Sequence, residues 1–401
     1  MLGLPDIAPV YLDYAASTPV DSDVAAFMQQ CLLDAHAQAN PSSQGHQFGA
    51  AANCYIVDSA VNLATALGVQ PESIVWTSGA TESDNLAIFG VARYYADRGK
   101  HLITSRIEHK AVLDAFTQLE AEGFDVTWLT PDAEGRISAD QVANALRDDT
   151  TLVSLMWVNN ELGTINPIAD IAAVVAPHNA LLHVDAAQAF GKLPVDIGAI
   201  PVDLASVTAH KCYGPKGVGA LYVAQRHGVN IQPMLFGGGQ QGGLRPGTLP
   251  THQIAGFGAA ARKVAEQLAA DQAHIAPLAA QLLERLLAVP GVTLNGSATN
   301  RLPAIINVSV QGISGDALFA CMAPIALATG SACNSMLAEP SFVLKALGRS
   351  DREAEASLRF SLGRHTSAAD IDMAAERFCA SVERLRAIAG PLTAFGAAAT
   401  A

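Results

Sequence analysis

From about Ser73 to Val223 the chain alternates short apolar runs with amphipathic stretches. The runs Ser73–Thr77, His101–Thr104, Val126–Leu129, Leu152–Val158, Leu181–Val184, Leu204–Val207 and Ala220–Val223 have the length and composition of strands. Helical patterns over Ala111–Glu120, Ala139–Ala145 and Ile168–Ala176 separate several of them. Strands alternating with helices predict an α/β fold, with a mostly parallel sheet covered on both faces. In such sheets ligands bind beyond the carboxyl ends of the strands, so chemistry is expected in the residues that follow each run. The glycine-dense stretch Gly237–Gly243 interrupts the pattern. Past it the chain predicts a long alanine-rich helix over Ile254–Leu287, a strand near Ala304–Val310 and a helix near Asp370–Ala387. The reading is a large domain over residues 13–255 and a smaller α+β domain made from residues 1–12 and 256–401.

With 401 residues, two domains are the natural expectation, and 50% hydrophobic against 15% charged residues suits a well-buried globular enzyme. A formal charge of -13 argues against a nucleic-acid partner, whose phosphates demand a basic face. Apolar stretches such as Ile171–Ala176 and Ala180–Val184 are too short to span a membrane, and the first residues carry no signal-peptide pattern. The six cysteines, at 31, 54, 212, 321, 333 and 379, form no CxxC pair, so neither a metal centre nor a disulfide framework is expected. A cytoplasmic protein with reduced thiols follows, and any one of those thiols is free to act as a nucleophile.

The residues after successive strands form a series. Ser78-Gly79-Ala80-Thr81-Glu82-Ser83 leads into a helical pattern, where backbone N–H groups at Gly79 and Ala80, a Thr81 hydroxyl and the helix N-terminus suit a phosphate. Thr81 alone reads equally as a helix cap. His109 follows the second run, placed to stack on a flat ring or move a proton, although a lone histidine is more often structural. Asn160 follows the fourth run. Asp185 and Gln188 follow the fifth, where a buried carboxylate needs a partner such as a protonated pyridine nitrogen, or else caps a helix. Thr208-Ala209-His210-Lys211 follows the sixth, with Lys211 between small residues and a glycine-rich turn, and Lys216 as a competitor. A lysine there, with its pKa lowered, serves as nucleophile and base.

In this order the series resembles the fold-type I pyridoxal-phosphate enzymes, within them the class V aminotransferase group, and most closely the cysteine desulfurases. The resemblance runs through nearly the whole chain. It includes Tyr11-Leu-Asp-Tyr-Ala-Ala-Ser-Thr-Pro19, Asn40-Pro-Ser-Ser43, Thr77–Asn85, Glu108-His109-Lys110, Val158-Asn-Asn-Glu161, His183–Gln188, Ala209-His-Lys211 and Gly247-Thr248. It implies pyridoxal 5'-phosphate as cofactor, covalently carried by Lys211, with Asp185 on its pyridine nitrogen and His109 over its ring. It also implies Asn160 and Gln188 near the ring's phenolate oxygen, and Ala80, Thr81, Thr208 and His210 around the phosphate. Thr248 is implied to reach the phosphate of a partner subunit, which makes the protein a homodimer with shared active sites.

The segment Ala328-Thr-Gly-Ser-Ala-Cys333-Asn-Ser-Met-Leu-Ala-Glu-Pro340 separates desulfurase from aminotransferase. Small residues flank the thiol and the stretch is long enough for a mobile loop, which a sulfur carrier needs. Cys321, by contrast, sits in an apolar pattern with Leu318, Phe319 and Met322. The loop resembles that of the longer-loop desulfurases, of the nitrogen-fixation and housekeeping iron–sulfur type. Arg359 matches the arginine that grips the substrate carboxylate, with Asn40 assisting. The activity implied is removal of sulfur from L-cysteine onto Cys333 as a persulfide, leaving L-alanine, with delivery to an acceptor protein that the sequence does not identify. A class V aminotransferase or a selenocysteine lyase is the rival on the same fold. The chain departs from the pattern at Gln241, Gly242, Pro246, Asn334 and Trp157, and in the tail Leu385–Ala401.

Overall fold

The computed structural model describes residues 9–226, 228–329 and 340–389. Strands are numbered β1 (Val10–Tyr11), β2 (Ile74–Thr77), β3 (His101–Ser105), β4 (Asp125–Leu129), β5 (Thr150–Met156), β6 (Leu181–Asp185), β7 (Leu204–Thr208), β8 (Gly219–Val223), β9 (Val292–Leu294), β10 (Ile305–Val310), β11 (Ile325–Ala326), β12 (Ala328–Thr329) and β13 (Ser357–Ser361). The first seven helices are α1 (Ser22–Leu33), α2 (Gln47–Leu67), α3 (Ala80–Tyr94), α4 (Lys110–Ala121), α5 (Ala139–Ala145), α6 (Ile168–Val175) and α7 (Thr251–Leu287).

Each of the seven apolar runs forms a strand of one seven-stranded sheet, ordered β2-β8-β7-β6-β5-β3-β4. Neighbours from β4 to β7 are parallel, while β8 is antiparallel to both β7 and β2. The reversal has a simple cause. Only residues 209–218 join β7 to β8, too few for the helical crossover that parallel strands need. Both faces are covered, which is why the strands read as unbroken apolar runs. Leu102, Leu152, Leu181 and Leu204 pack under α3 and α4 with Phe89 and Phe116. Ile103, Val153, Leu182 and Ala205 point the other way, into a core that includes Leu63, Ile171 and Phe257.

A second core gathers Val308, Leu358, Phe360, Ile371 and Phe378, around the four-stranded sheet β12-β13-β10-β9. A separate parallel pair, β1 with β11, brings the N-terminal segment onto this part. Helix α7 belongs to both cores: Ile254, Phe257 and Val264 lie in the first, and Ala279, Leu282 and Leu286 in the second. Among the described residues no helix is long and apolar enough to cross a membrane.

The topology leaves one natural place for a ligand. The chain steps outward from β3 to β4, then returns to lay β5 on the other side of β3, so strand order reverses at β3/β5. The carboxyl ends there are aligned, with Met156 opposite Asp185 and Asp185 opposite Ser206.

Candidate active site

A cleft of about 510 Å³ opens at these strand ends, within the size range of small-molecule and cofactor pockets. Its walls bring together Ala80, Thr81, His109, Asn160, Asp185, Gln188, Thr208, His210, Lys211 and Arg359, which lie far apart in sequence.

The segment Ser78–Ser83 follows β2 and leads into α3. Thr81 is not the cap of α3, because Gly79 occupies that position without a side-chain bond. Its exposed hydroxyl therefore stands in the first helical turn beside backbone N–H groups that no side chain caps. A Cβ on Gly219 of β8 would lie 2.6 Å from Gly79 Cα, so two main chains meet here at a distance only glycine permits. Glu82 anchors the turn through Ser78 N–H at 2.7 Å, and Arg245 pairs with Glu82 at 2.8 Å. Gln241 takes up the edge of the sheet: its Oε1 accepts from Trp76 N–H and its Nε2 donates to Trp76 O at 2.7 Å.

His109 caps α4, its Nδ1 accepting from Ala111 N–H at 3.2 Å, which leaves the ring proton on Nε2. Burial, with the charge of Lys211, lowers its pKa, so the ring is neutral at pH 7. Asn160 is buried, and its carbonyl accepts from Arg359 Nη1 at 2.8 Å. Asp185 ends β6, with Oδ1 accepting from Ala187 N–H at 2.9 Å. Thr208, the last residue of β7, is buried, and Lys211 closes the short turn Ala209–Lys211 behind it. His210 Nδ1 lies 3.3 Å from Ser17 Oγ, and burial with the charges of Lys211, Lys216 and Lys192 pushes the ring down to about 4. Lys216 also reaches the cleft but is exposed, whereas Lys211 is partly buried. Arg359, on β13, is buried and donates through Nη2 to Asp13 Oδ1 at 2.8 Å.

Three residues are not gathered there. Asn40 is exposed outside the cleft walls, its Oδ1 accepting from Ser42 N–H at 2.9 Å. Thr248 is exposed and is not among the residues that line this cleft. Cys333 lies outside the described residues; β12, after which that segment begins, pairs Ala328 with Arg359. Of the other thiols, Cys212 is buried and pushed up to about 12 by burial, which keeps it a thiol. Among the described residues no group of three His, Cys, Asp or Glu is placed to hold a metal.

Beneath the cleft lies a polar layer that strand-end reading does not find. His183, two residues before Asp185 and so on the same face of β6, is held by Ser154 Oγ at 2.8 Å and Ser206 Oγ at 2.9 Å. Asp84 Oδ1 stands 3.6 Å from its Nε2. Burial lowers His183 to about 4 and, with the nearby Asp185 charge, raises Asp84 well above the carboxylate range. The histidine is therefore neutral, and burial disfavours the charged form of Asp84 as well. Glu108 is buried, accepts from Ser105 Oγ at 2.5 Å and is raised to about 8. The period-two spacing from Asp185 is the one signal that points to His183; Asp84 needs the packing of α3 on the sheet.

A pH dependence follows from Glu108. Its folded pKa is raised, so the native state holds a proton that the unfolded chain releases above about pH 4.5. Stability contributed by this group falls as pH rises from there to about 8 and is flat beyond. Glu108→Gln cannot release that proton. In denaturant titrations the variant is expected to lose less stability than the unaltered protein between pH 5 and 8, the difference growing by up to about 1.4 kcal/mol per pH unit.

The model of the class-V aminotransferase family matches residues 10–373. The cysteine desulfurase IscS of Azotobacter vinelandii is 49% identical over 378 residues, covering 94% of this chain and 94% of its own length. Among solved structures, a NifS-like protein superposes with a TM-score of 0.87 at 34% identity, over 94% of this chain and all of the other. A structure described as SspA in complex with cysteine gives 0.78 at 41% identity, over 89% of this chain and all of the other.

Proposed function

The chain belongs to the class-V aminotransferase family, in its cysteine desulfurase branch, and on that premise we propose that pyridoxal 5'-phosphate occupies the cleft and Cys333 receives the sulfur of L-cysteine. One observation carries the residue assignments: a helix N-terminus with Thr81, a carboxylate at Asp185, a lysine at Lys211 and an arginine at Arg359 line one cleft. That donor set fits a phosphorylated pyridine aldehyde. The uncapped N–H groups of α3, with Thr81, Thr208 and His210, suit the phosphate. Asp185, with Oδ1 fixed by Ala187, has Oδ2 for the ring nitrogen. Lys211 supplies the amine for covalent attachment, and Asn160 and Gln188 supply donors for the phenolate oxygen.

When bound, the cofactor supplies an electron sink that acidifies the substrate's α-carbon. The chain's own residues do the rest. Arg359 holds the substrate carboxylate; Asn40, which lies outside the cleft walls, is assigned a supporting role through Nδ2, since its Oδ1 accepts from Ser42 N–H. Lys211 would take the α-proton when its amine is free. His109, neutral with its proton on Nε2, would donate from Nε2 to the substrate sulfur or to the cofactor's ring oxygen. The Cys333 thiolate attacks the substrate sulfur, the carbon–sulfur bond breaks, and the products are L-alanine and a Cys333 persulfide for an acceptor protein. Thr248, exposed after the glycine-rich stretch, is assigned to the cleft of a partner subunit in a homodimer. Pro246 beside it contributes no N–H to that contact. Chemistry that rests on a free thiolate suits the reducing cytoplasm, to which we assign the protein.

The test is to incubate the cofactor-loaded protein with L-cysteine, trap thiols and map modified cysteines by mass spectrometry while measuring alanine. Equal alanine and persulfide, the latter on Cys333, are expected. Alanine that appears only with consumption of a keto acid, without persulfide, would instead make the protein an aminotransferase.

A further inference from the structure

Behind the cleft lies Lys192, which the activity described above does not use. The turn after β6 winds back on itself, with Lys192 N–H donating to Ala189 O at 3.0 Å, so Gln188 and Lys192 share a face. Lys192 Nζ donates to Gln188 Oε1 at 2.5 Å. Gln188 Nε2 donates to Ala15 O at 2.8 Å, and Ala15 is itself held by its N–H to Ser361 Oγ at 2.9 Å.

These contacts decide which way the Gln188 amide faces. A main-chain carbonyl only accepts, and a protonated lysine only donates. Turning the amide over would set its oxygen against the Ala15 carbonyl, a repulsive contact at hydrogen-bond distance, and its NH2 against the Lys192 ammonium, a second one whenever Lys192 is protonated. The NH2 is therefore fixed toward Ala15, and its second hydrogen is the donor Gln188 can present to the cleft it lines.

Lys192 is an expensive residue to keep in this place. It borders a largely apolar cavity of about 120 Å³ formed with Tyr14, Tyr213, Ile275 and Leu302. Asp271, which lines the same cavity, pairs with Arg364 at 2.9 Å, and none of the ion pairs among the described residues involves Lys192. Burial, with the charges of Lys211 and Arg359, pulls it down to about 7. Protonated or not, it still donates to Gln188.

We propose that Lys192 is a positioning residue which locks the Gln188 amide so that its nitrogen, and not its oxygen, faces the phenolate oxygen of the bound cofactor. This rests on the reading of Gln188 given above.

The experiment uses cofactor-loaded protein and follows its visible absorbance band against pH, comparing Lys192→Met, Lys192→Arg, Gln188→Ala and the double variant Lys192→Met/Gln188→Ala. A donor to the ring oxygen favours the deprotonated form, so its loss raises the midpoint of the band's pH transition. Lys192→Met is expected to raise it by about 0.5–1 pH unit, a three- to ten-fold change in the proton equilibrium. Lys192→Arg, which keeps a donor, is expected to restore much of it, and the double variant to match Gln188→Ala alone. A Lys192→Met midpoint equal to that of the unaltered protein, while Gln188→Ala shifts, overturns the role of Lys192. So does a double variant whose shift is the sum of the two. If Gln188→Ala leaves the midpoint unmoved, the assignment of Gln188 itself fails, and the proposal with it. Methionine matches the lysine stem in volume and removes a partly buried charge, so the fold is expected to survive.

Discussion

Lys211→Ala is expected to lose the visible band of covalently held cofactor and to slow alanine formation from L-cysteine by at least about 10³-fold. On the proposed mechanism two roles fall on one amine, covalent attachment and removal of the α-proton, and no other residue of the cleft is assigned both. Lys216 is the nearest alternative lysine; it is exposed and sits beyond the turn that ends at Lys211. The substitution touches no core, since Lys211 closes a short turn at the cleft wall. Unaltered circular dichroism would separate loss of chemistry from loss of fold. Lys211→Arg is a useful companion: it keeps the charge and most of the length, offers no amine nucleophile, and is expected to fail as badly. A variant that retains the band would show attachment elsewhere, with Lys216 the first site to inspect.

Asp185→Asn is expected to lower kcat by about 10²–10³, or roughly 2.7–4 kcal/mol of barrier, with a much smaller change in substrate KM. Asparagine has the same shape and its oxygen can still accept from Ala187 N–H, so the end of β6 is undisturbed. On the proposed assignment, the substitution removes the negative charge that keeps the cofactor's pyridine nitrogen protonated, and the electron sink weakens with it. Burial disfavours charge on the Asp84 carboxyl beneath, which makes it a poor replacement anion. Steady-state kinetics with cofactor content measured in parallel is the check. A kcat within a few-fold of the unaltered protein would remove Asp185 from the ring nitrogen.

Much of the cleft was legible because the fold is simple at that point. Seven apolar runs became seven strands, each within three residues of its expected ends, and a parallel sheet delivers the residues after its strands to one edge. What stayed hidden depends on non-local pairing. Strand β13 is short and reads weakly on its own; it exists because Leu358 and Phe360 are buried between β10 and β12. The antiparallel turn of β8 follows from a connection length that strand composition does not reveal. Asp84 and Lys192 are polar residues inside or beside apolar surroundings, and only the neighbours brought in by α3 and by the turn after β6 give them a purpose. Gln241, a departure from the resemblance, makes sense only beside the edge strand whose Trp76 main chain it satisfies at both ends.

Helix α7 sets a constraint of phase. Its 37 residues bury one stripe in the core of the large sheet and, further along, another stripe in the core around β10 and β13. Successive residues are rotated by about 100° around an α-helix, so inserting or deleting a single residue between Val264 and Ala279 turns the second stripe about a quarter of the way round or more. Ala279, Leu282 and Leu286 would then face away from the surface they now fill. The helix behaves as a keyed shaft: exposed positions along it tolerate exchange of side chains, but its length between the two stripes is fixed to the residue.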